Sequence, residues 1–144
     1  MKIEYVNQLD VIFLCIPGRN NCRWELSKPF FVSVDGDTWT VPKGFYTDFA
    51  SVPRFLWPLI SPYDLGMGPV AHDAGYFFGW RSRAYWDAAL LSCMEHDAVP
   101  RWKRVCAYAA VRLFAGGVWR NYRKQGLPQE QLNRIIGRNL DGLS

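Results

Sequence analysis

Apolar residues in the first third of the chain alternate with polar ones or fall in short β-branched and aromatic runs, whereas those after Pro53 recur every three or four positions. Strands are expected over residues 3–6, 11–16, 23–26, 30–34 and 38–41, separated by Pro17-Gly18-Arg19-Asn20-Asn21 and by Asp35-Gly36-Asp37. Asp-Gly between two such runs signals a tight hairpin. In the second half the periodicity predicts helices over residues 54–60, 69–78, 83–97, 101–123 and 129–139, with Pro69, Pro100 and Pro128 placed where a first turn tolerates proline. Strands come first and helices after, without the alternation a parallel sheet requires. The expected class is therefore α+β: an N-terminal antiparallel sheet of about five short strands, then a helical half. With 144 residues, 49% of them hydrophobic, one domain can bury its own core, β-rich over 1–46 and mainly helical over 47–144.

Composition sharpens this only in places. Aromatic residues make up 16% of the chain, more than a small core needs, so some rings are expected to line a groove or a partner surface. The net charge of +4 is uneven, because Arg101, Lys103, Arg104, Arg112, Arg120, Arg123, Lys124, Arg134 and Arg138 all fall in the last third. No block of five or six like charges occurs, so solvated helix faces rank ahead of a nucleic-acid surface. Cys15, Cys22, Cys93 and Cys106 lack metal-site spacing and are expected to be buried, reduced thiols. The N-terminus does not have the pattern of a signal peptide. The longest apolar stretch, 105–119, is broken by Arg112 and Gly116-Gly117 and is too short to span a bilayer. The chain is expected to be soluble when made.

Three polar insertions interrupt the apolar middle: Thr47-Asp48 through Arg54, then His72-Asp73, then Asp87. Carboxylates and imidazoles are costly to desolvate unless paired or metal-bound, so their setting points to a site. Asp87 shares a helix face with Leu90, Leu91 and Met94, which turns its carboxylate toward the core. His72 and Asp73 diverge by about 100° on their helix and can meet one ion only from its edge. Asp48 sits where strands hand over to helices, with Thr47 and Ser51 able to hold the turn. One imidazole and three carboxylates suit Zn²⁺, Mn²⁺ or Fe²⁺. The same four residues could form a metal-free acid–base site. They could also form a structural network in which His72 bonds Asp87 and Asp73 pairs with Arg54 or Arg81. Glu95-His96-Asp97 reads as a solvated helix end, and Gly66-Met67-Gly68 lacks the pattern of a phosphate cradle.

The run from Gly44 to Arg54, Gly-Phe-x-Thr-Asp-x-Ala-Ser-x-Pro-Arg, followed by Ala71-His72-Asp73 with Tyr76 and by Asp87 with Met94 seven residues on, resembles a family of small bacteriophage and prophage proteins of unknown function. The resemblance covers roughly residues 25–120 and leaves the basic tail after Arg120 outside. It implies a phage or prophage setting, with synthesis in the bacterial host cytoplasm, and leaves association with the virion open. It also supports grouping Asp48, His72, Asp73 and Asp87, but it names no reaction. The leading expectation is a metal-dependent hydrolase with these four residues around one divalent cation. Thr47, Ser51, Arg54 and Tyr76 would then orient substrate or ligands. The alternative is a non-catalytic tail or virion component, or a module that binds a host protein, in which the cluster is structural.

Overall fold

The computed structural model describes residues 1–15, 23–47 and 52–141. Among these, six strands form two three-stranded antiparallel sheets, followed by five α-helices, an α+β arrangement. The first sheet has the order β1 (Ile3–Tyr5), β4 (Phe30–Val34), β5 (Asp37–Val41). The second has the order β2 (Val11–Leu14), β3 (Arg23–Leu26), β6 (Tyr46–Thr47). β4 and β5 join through the expected hairpin, with Val34 opposite Asp37. Asp35 and Gly36 both take positive φ, 52° and 91°, as a primed turn requires. The two-residue β6 is an element that sequence periodicity is too short to show.

The helices are α1 (Gly68–Phe78), α2 (Arg83–His96), α3 (Arg101–Phe114), α4 (Gly116–Gln125) and α5 (Gln129–Leu140). The stretch 54–60 is not an α-helix but a 3₁₀ turn, Arg54–Leu56, followed by further turns and a second 3₁₀ segment, Pro62–Leu65. The single long helix expected over 101–123 is two helices that meet at Ala115. The reason is local and tertiary together. Gly116-Gly117 has poor helix propensity, and Arg83 Nη2 donates to the carbonyls of Val111 and Arg112 at 2.9 and 2.5 Å, capping the end of α3. Arg123 on α4 does the same for α1, donating to Tyr76 and Phe77 carbonyls at 2.9 Å each.

α1 and α2 form a close pair. A Cβ on Gly75 would sit 2.2 Å from the Trp86 ring, so only glycine allows this approach. The pair packs under both sheets: Trp39 of β5 meets Trp80 and Trp86 at 5.3 and 5.5 Å, and Phe45 beside β6 meets Phe77 at 5.6 Å. α5 lies back over the second sheet. There Arg134 and Arg138 grip the buried carboxylate of Glu25, Arg138 at 3.0 Å, and Gln131 Nε2 donates to the Tyr46 carbonyl at 2.8 Å.

The cysteine expectation holds for only one of the described residues. Cys93 is a buried free thiol, pushed up to about 12 by burial, whereas Cys15 is disulfide-bonded and Cys106 is free and exposed. Cys22 lies outside the described residues. No helix among the described residues is long and apolar enough to cross a membrane.

Two glycine substitutions test the packing. Gly75→Ala should destabilise the protein by about 1–3 kcal/mol in urea unfolding, because the Trp86 ring must move. Gly137→Ala in α5, where an added Cβ meets nothing within 4 Å, should stabilise by about 0.5–1 kcal/mol.

Candidate functional site

His72 and Tyr76 are four residues apart on α1 and so share a face, their rings 4.2 Å apart. Because Gly75 lets α2 approach against Trp86, the next residue, Asp87, comes directly against that face. His72 Nε2 lies 3.0 Å from Asp87 Oδ1, and the Tyr76 hydroxyl donates to the same oxygen at 2.5 Å. Asp87 Oδ2 accepts from Arg112 Nη1 of α3 at 2.8 Å, with Arg83 Nε 3.7 Å away. Arg83 Nε also donates to the Tyr76 hydroxyl at 3.2 Å. The carboxylate of Asp87 is 0% exposed and the His72 ring 1%.

The other imidazole nitrogen, Nδ1, faces Asp73 Oδ1 at 3.5 Å. Asp73 Oδ2 accepts from the hydroxyl of buried Thr47 on β6. At 13% exposure Asp73 is the outward end of the chain of groups Asp73, His72, Asp87. The structure thus unites His72, Asp73 and Asp87 with Thr47 and Tyr76. Asp48 and Ser51 lie outside the described residues; Asp48 follows Thr47 directly in the chain. Arg54 is exposed, its guanidinium 5.6 Å from the centre of the Trp57 ring. The next residue, Phe55, meets Phe114 at the end of α3, 5.9 Å between rings, so this turn flanks the helix that carries Arg112. Arg81 pairs with Asp37 at 2.7 Å rather than with Asp73.

Electrostatics follow from these contacts. Burial pushes the His72 imidazole toward neutrality, but the carboxylates of Asp73 and Asp87 on either side outweigh this and hold it above its ordinary range. Burial also pushes the Asp87 carboxyl up, and the bonds from His72, Tyr76 and Arg112 more than compensate, so it stays ionised below the usual range. Burial, helped by Asp87, raises Tyr76 and keeps its hydroxyl a proton donor. Both Asp87 oxygens are occupied. The outward edge of the site is Asp73 with the Nδ1 face of His72.

Sequence reasoning missed Arg83 and Arg112. Arg83 stands four residues before Asp87 on one helix, a spacing that carries the signal for an ion pair. Arg112 is 25 residues away and gives no such signal. Buried Glu25 was missed too, because its partners lie in α5, more than a hundred positions on. Among the described residues, no group of three or more His, Cys, Asp or Glu side chains could hold a metal ion.

A family model described as "Protein of unknown function (DUF1353)" matches residues 24–111, from Trp24 in β3 to Val111 in α3, and includes His72, Asp73 and Asp87. Neither the curated proteins nor the solved structures contain a match.

In the metal-free protein, thermal midpoints should fall on both sides of neutral pH. Asp87 contributes fully above the ordinary value of 3.8 and loses its contribution as pH drops through its depressed native value. His72 contributes fully below 6.5 and loses its contribution as pH rises through its raised native value. His72→Asn should flatten the alkaline decline, and an unchanged alkaline limb would remove His72 from this account. Asp87→Asn should cost about 3–5 kcal/mol near neutral pH, because it leaves Arg112 and the imidazolium without their carboxylate.

Proposed function

The chain belongs to the DUF1353 family of proteins of unknown function, and we propose that it is a phage- or prophage-encoded accessory protein that works as a metal-dependent hydrolase. The observation that carries this reading is the two-sided anchoring of His72. Its Nε2 is held by buried Asp87, which turns Nδ1 toward Asp73 Oδ1 at 3.5 Å. That separation is long for a hydrogen bond. It fits two atoms sharing a four-coordinate cation, whose ligand distances of about 2.0–2.2 Å set ligand atoms about 3.4 Å apart.

In this reading His72 and Asp73 hold the cation, Zn²⁺, Mn²⁺ or Fe²⁺, and Asp48, next to Thr47, supplies a further carboxylate. Asp87 acts behind His72, fixing its tautomer and raising its basicity, as carboxylates behind metal-binding histidines do. Thr47 fixes Asp73 in the same way through its other oxygen. The cation, when bound, supplies Lewis acidity and activates water for attack. Arg54, Ser51 and the exposed rings of Phe55 and Phe114 would border the substrate, and a carboxylate not on the cation would serve as base.

The second reading is a non-catalytic tail, virion or host-factor-binding component in which the network is structural. The nearly complete burial of His72 and Asp87 favours it, as does the apolar outer face of α3. Metal content separates the two. Protein purified without chelator or histidine tag should carry near-stoichiometric metal by mass spectrometry, or take up Zn²⁺ or Mn²⁺ in calorimetry, more tightly as pH rises and His72 loses its proton. Folded His72→Ala and Asp73→Ala variants should lose it, and Asp87→Asn should bind about 10–100-fold more weakly. A wild-type protein that takes up none of these ions overturns the hydrolase reading.

A further inference from the structure

Cys15 stands one residue past the end of β2, exposed and disulfide-bonded. The chain has four cysteines, and Cys93 and Cys106 are both free thiols, so the cysteine left to pair with Cys15 inside the chain is Cys22. Strand register points to the same pair independently. β2 and β3 run antiparallel with Val11 opposite Leu26, Ile12 opposite Glu25, Phe13 opposite Trp24 and Leu14 opposite Arg23. Cys22 itself lies outside the described residues, but the next numbers outward in this register are 15 and 22. Opposite residues of an antiparallel pair have Cα atoms about 4.5–5.5 Å apart. A disulfide spans roughly 4.4–6.8 Å, so the register meets its requirement.

We propose that Cys15 and Cys22 of one chain form a cross-strand disulfide that clamps the β2–β3 hairpin, and that it forms once the chain has left the reducing cytoplasm. Cytoplasmic glutathione and thioredoxin keep an exposed pair of this kind as thiols. The oxidant is a disulfide of the glutathione class. One cysteine thiolate attacks it, giving a mixed disulfide and releasing one thiol. The other thiolate then attacks the mixed disulfide, which closes the Cys15–Cys22 bond and releases the second thiol. Two electrons and two protons pass from the pair to the oxidant. Cys93 does not compete, because burial raises its thiol to about 12 and leaves little thiolate to react.

The strand to be clamped has little else to hold it. β2 is four residues long and lies at the edge of its sheet, with β3 as its one neighbour. Ile12 and Phe13 are 48% and 49% exposed, so burial contributes little to the pairing, and a short hairpin is marginal without such support. A bond across its end restricts the unfolded chain and keeps the pairing closed. The clamp also holds Phe13 on Trp24, 4.7 Å between rings. Its effect reaches further through β3, which carries Glu25 for the docking of α5 and pairs with β6, where Thr47 fixes Asp73.

Mass spectrometry on the full chain tests the proposal. After incubation with reduced and oxidised glutathione, the acid-quenched and unfolded protein should take up iodoacetamide on Cys93 and Cys106 alone, and on all four cysteines after reduction. Trypsin cuts after Lys2, Arg19 and Arg23, so the unreduced digest should contain peptide 3–19 joined to peptide 20–23, parting on reduction. The chain directed to a bacterial periplasm should carry the cross-link when isolated, and the chain trapped with acid in the cytoplasm should not. Cys15→Ser combined with Cys22→Ser should lower the thermal midpoint of the oxidised protein by about 5–10 °C. Four alkylated cysteines in the glutathione-treated or periplasmic protein overturn the proposal, as does a bond from Cys15 to a second copy. A cross-link already present in the cytoplasm overturns the assignment to an oxidising compartment, and an unchanged midpoint in the double variant overturns the role as a clamp.

Discussion

A fully buried carboxylate organises the helical half. Taking Asp87 out of water costs several kcal/mol, which only a complete set of partners offsets, and the partners come from three helices: His72 and Tyr76 on α1, the nearby charge of Arg83 on its own helix α2, Arg112 on α3. The positions of these helices are therefore coupled. α1 must approach α2 closely enough for the imidazole and the phenol to reach one oxygen, which Gly75 permits. α3 must end where Arg112 reaches the other oxygen, and Arg83, placed beside Asp87, also caps the carbonyls of Val111 and Arg112. The break between α3 and α4 and the geometry of the buried network are thus parts of one arrangement.

A second buried carboxylate does comparable work for the sheet half. Glu25 on β3 is held by Arg134 and Arg138, which docks α5 across the second sheet. β3 pairs with β6, with Trp24 opposite Thr47 and Glu25 opposite Tyr46, and Gln131 of α5 bonds the Tyr46 carbonyl. The hydroxyl of Thr47 in turn fixes Asp73. The outward carboxylate of the site is therefore positioned from the sheet side, and His72 from the helix side. A site assembled from two separately anchored halves can hold a fixed distance between its groups, which both cation binding and a rigid structural network require.

Much of the scaffold was legible because its signals are local. The Asp35-Gly36 turn, the starts of α1, α2, α3 and α5, and the inward direction of Asp87 each follow from residues within one or two turns of each other. Of the candidate site, the grouping of His72, Asp73 and Asp87 was readable from their setting among apolar residues, and the tie of Thr47 to Asp73 was not. The split of the strands into two sheets was hidden, because pairing partners such as β3 and β6 lie twenty residues apart and β6 is only two residues long. The long helix expected through Ala115 failed for a related reason: periodicity continues across the break, and the group that ends α3 is a guanidinium from another helix.

The sequence by itself determined the class, strands before helices, the chemistry available and the face on which each acidic or imidazole group stands, because periodicity and turn chemistry act over a few residues. Only the tertiary structure decided which groups meet. Arg112 on Asp87, Arg134 and Arg138 on Glu25, and Thr47 on Asp73 are contacts between elements 25 to 113 positions apart. The need to satisfy buried charges selects such partners by position in space, whatever their separation along the chain.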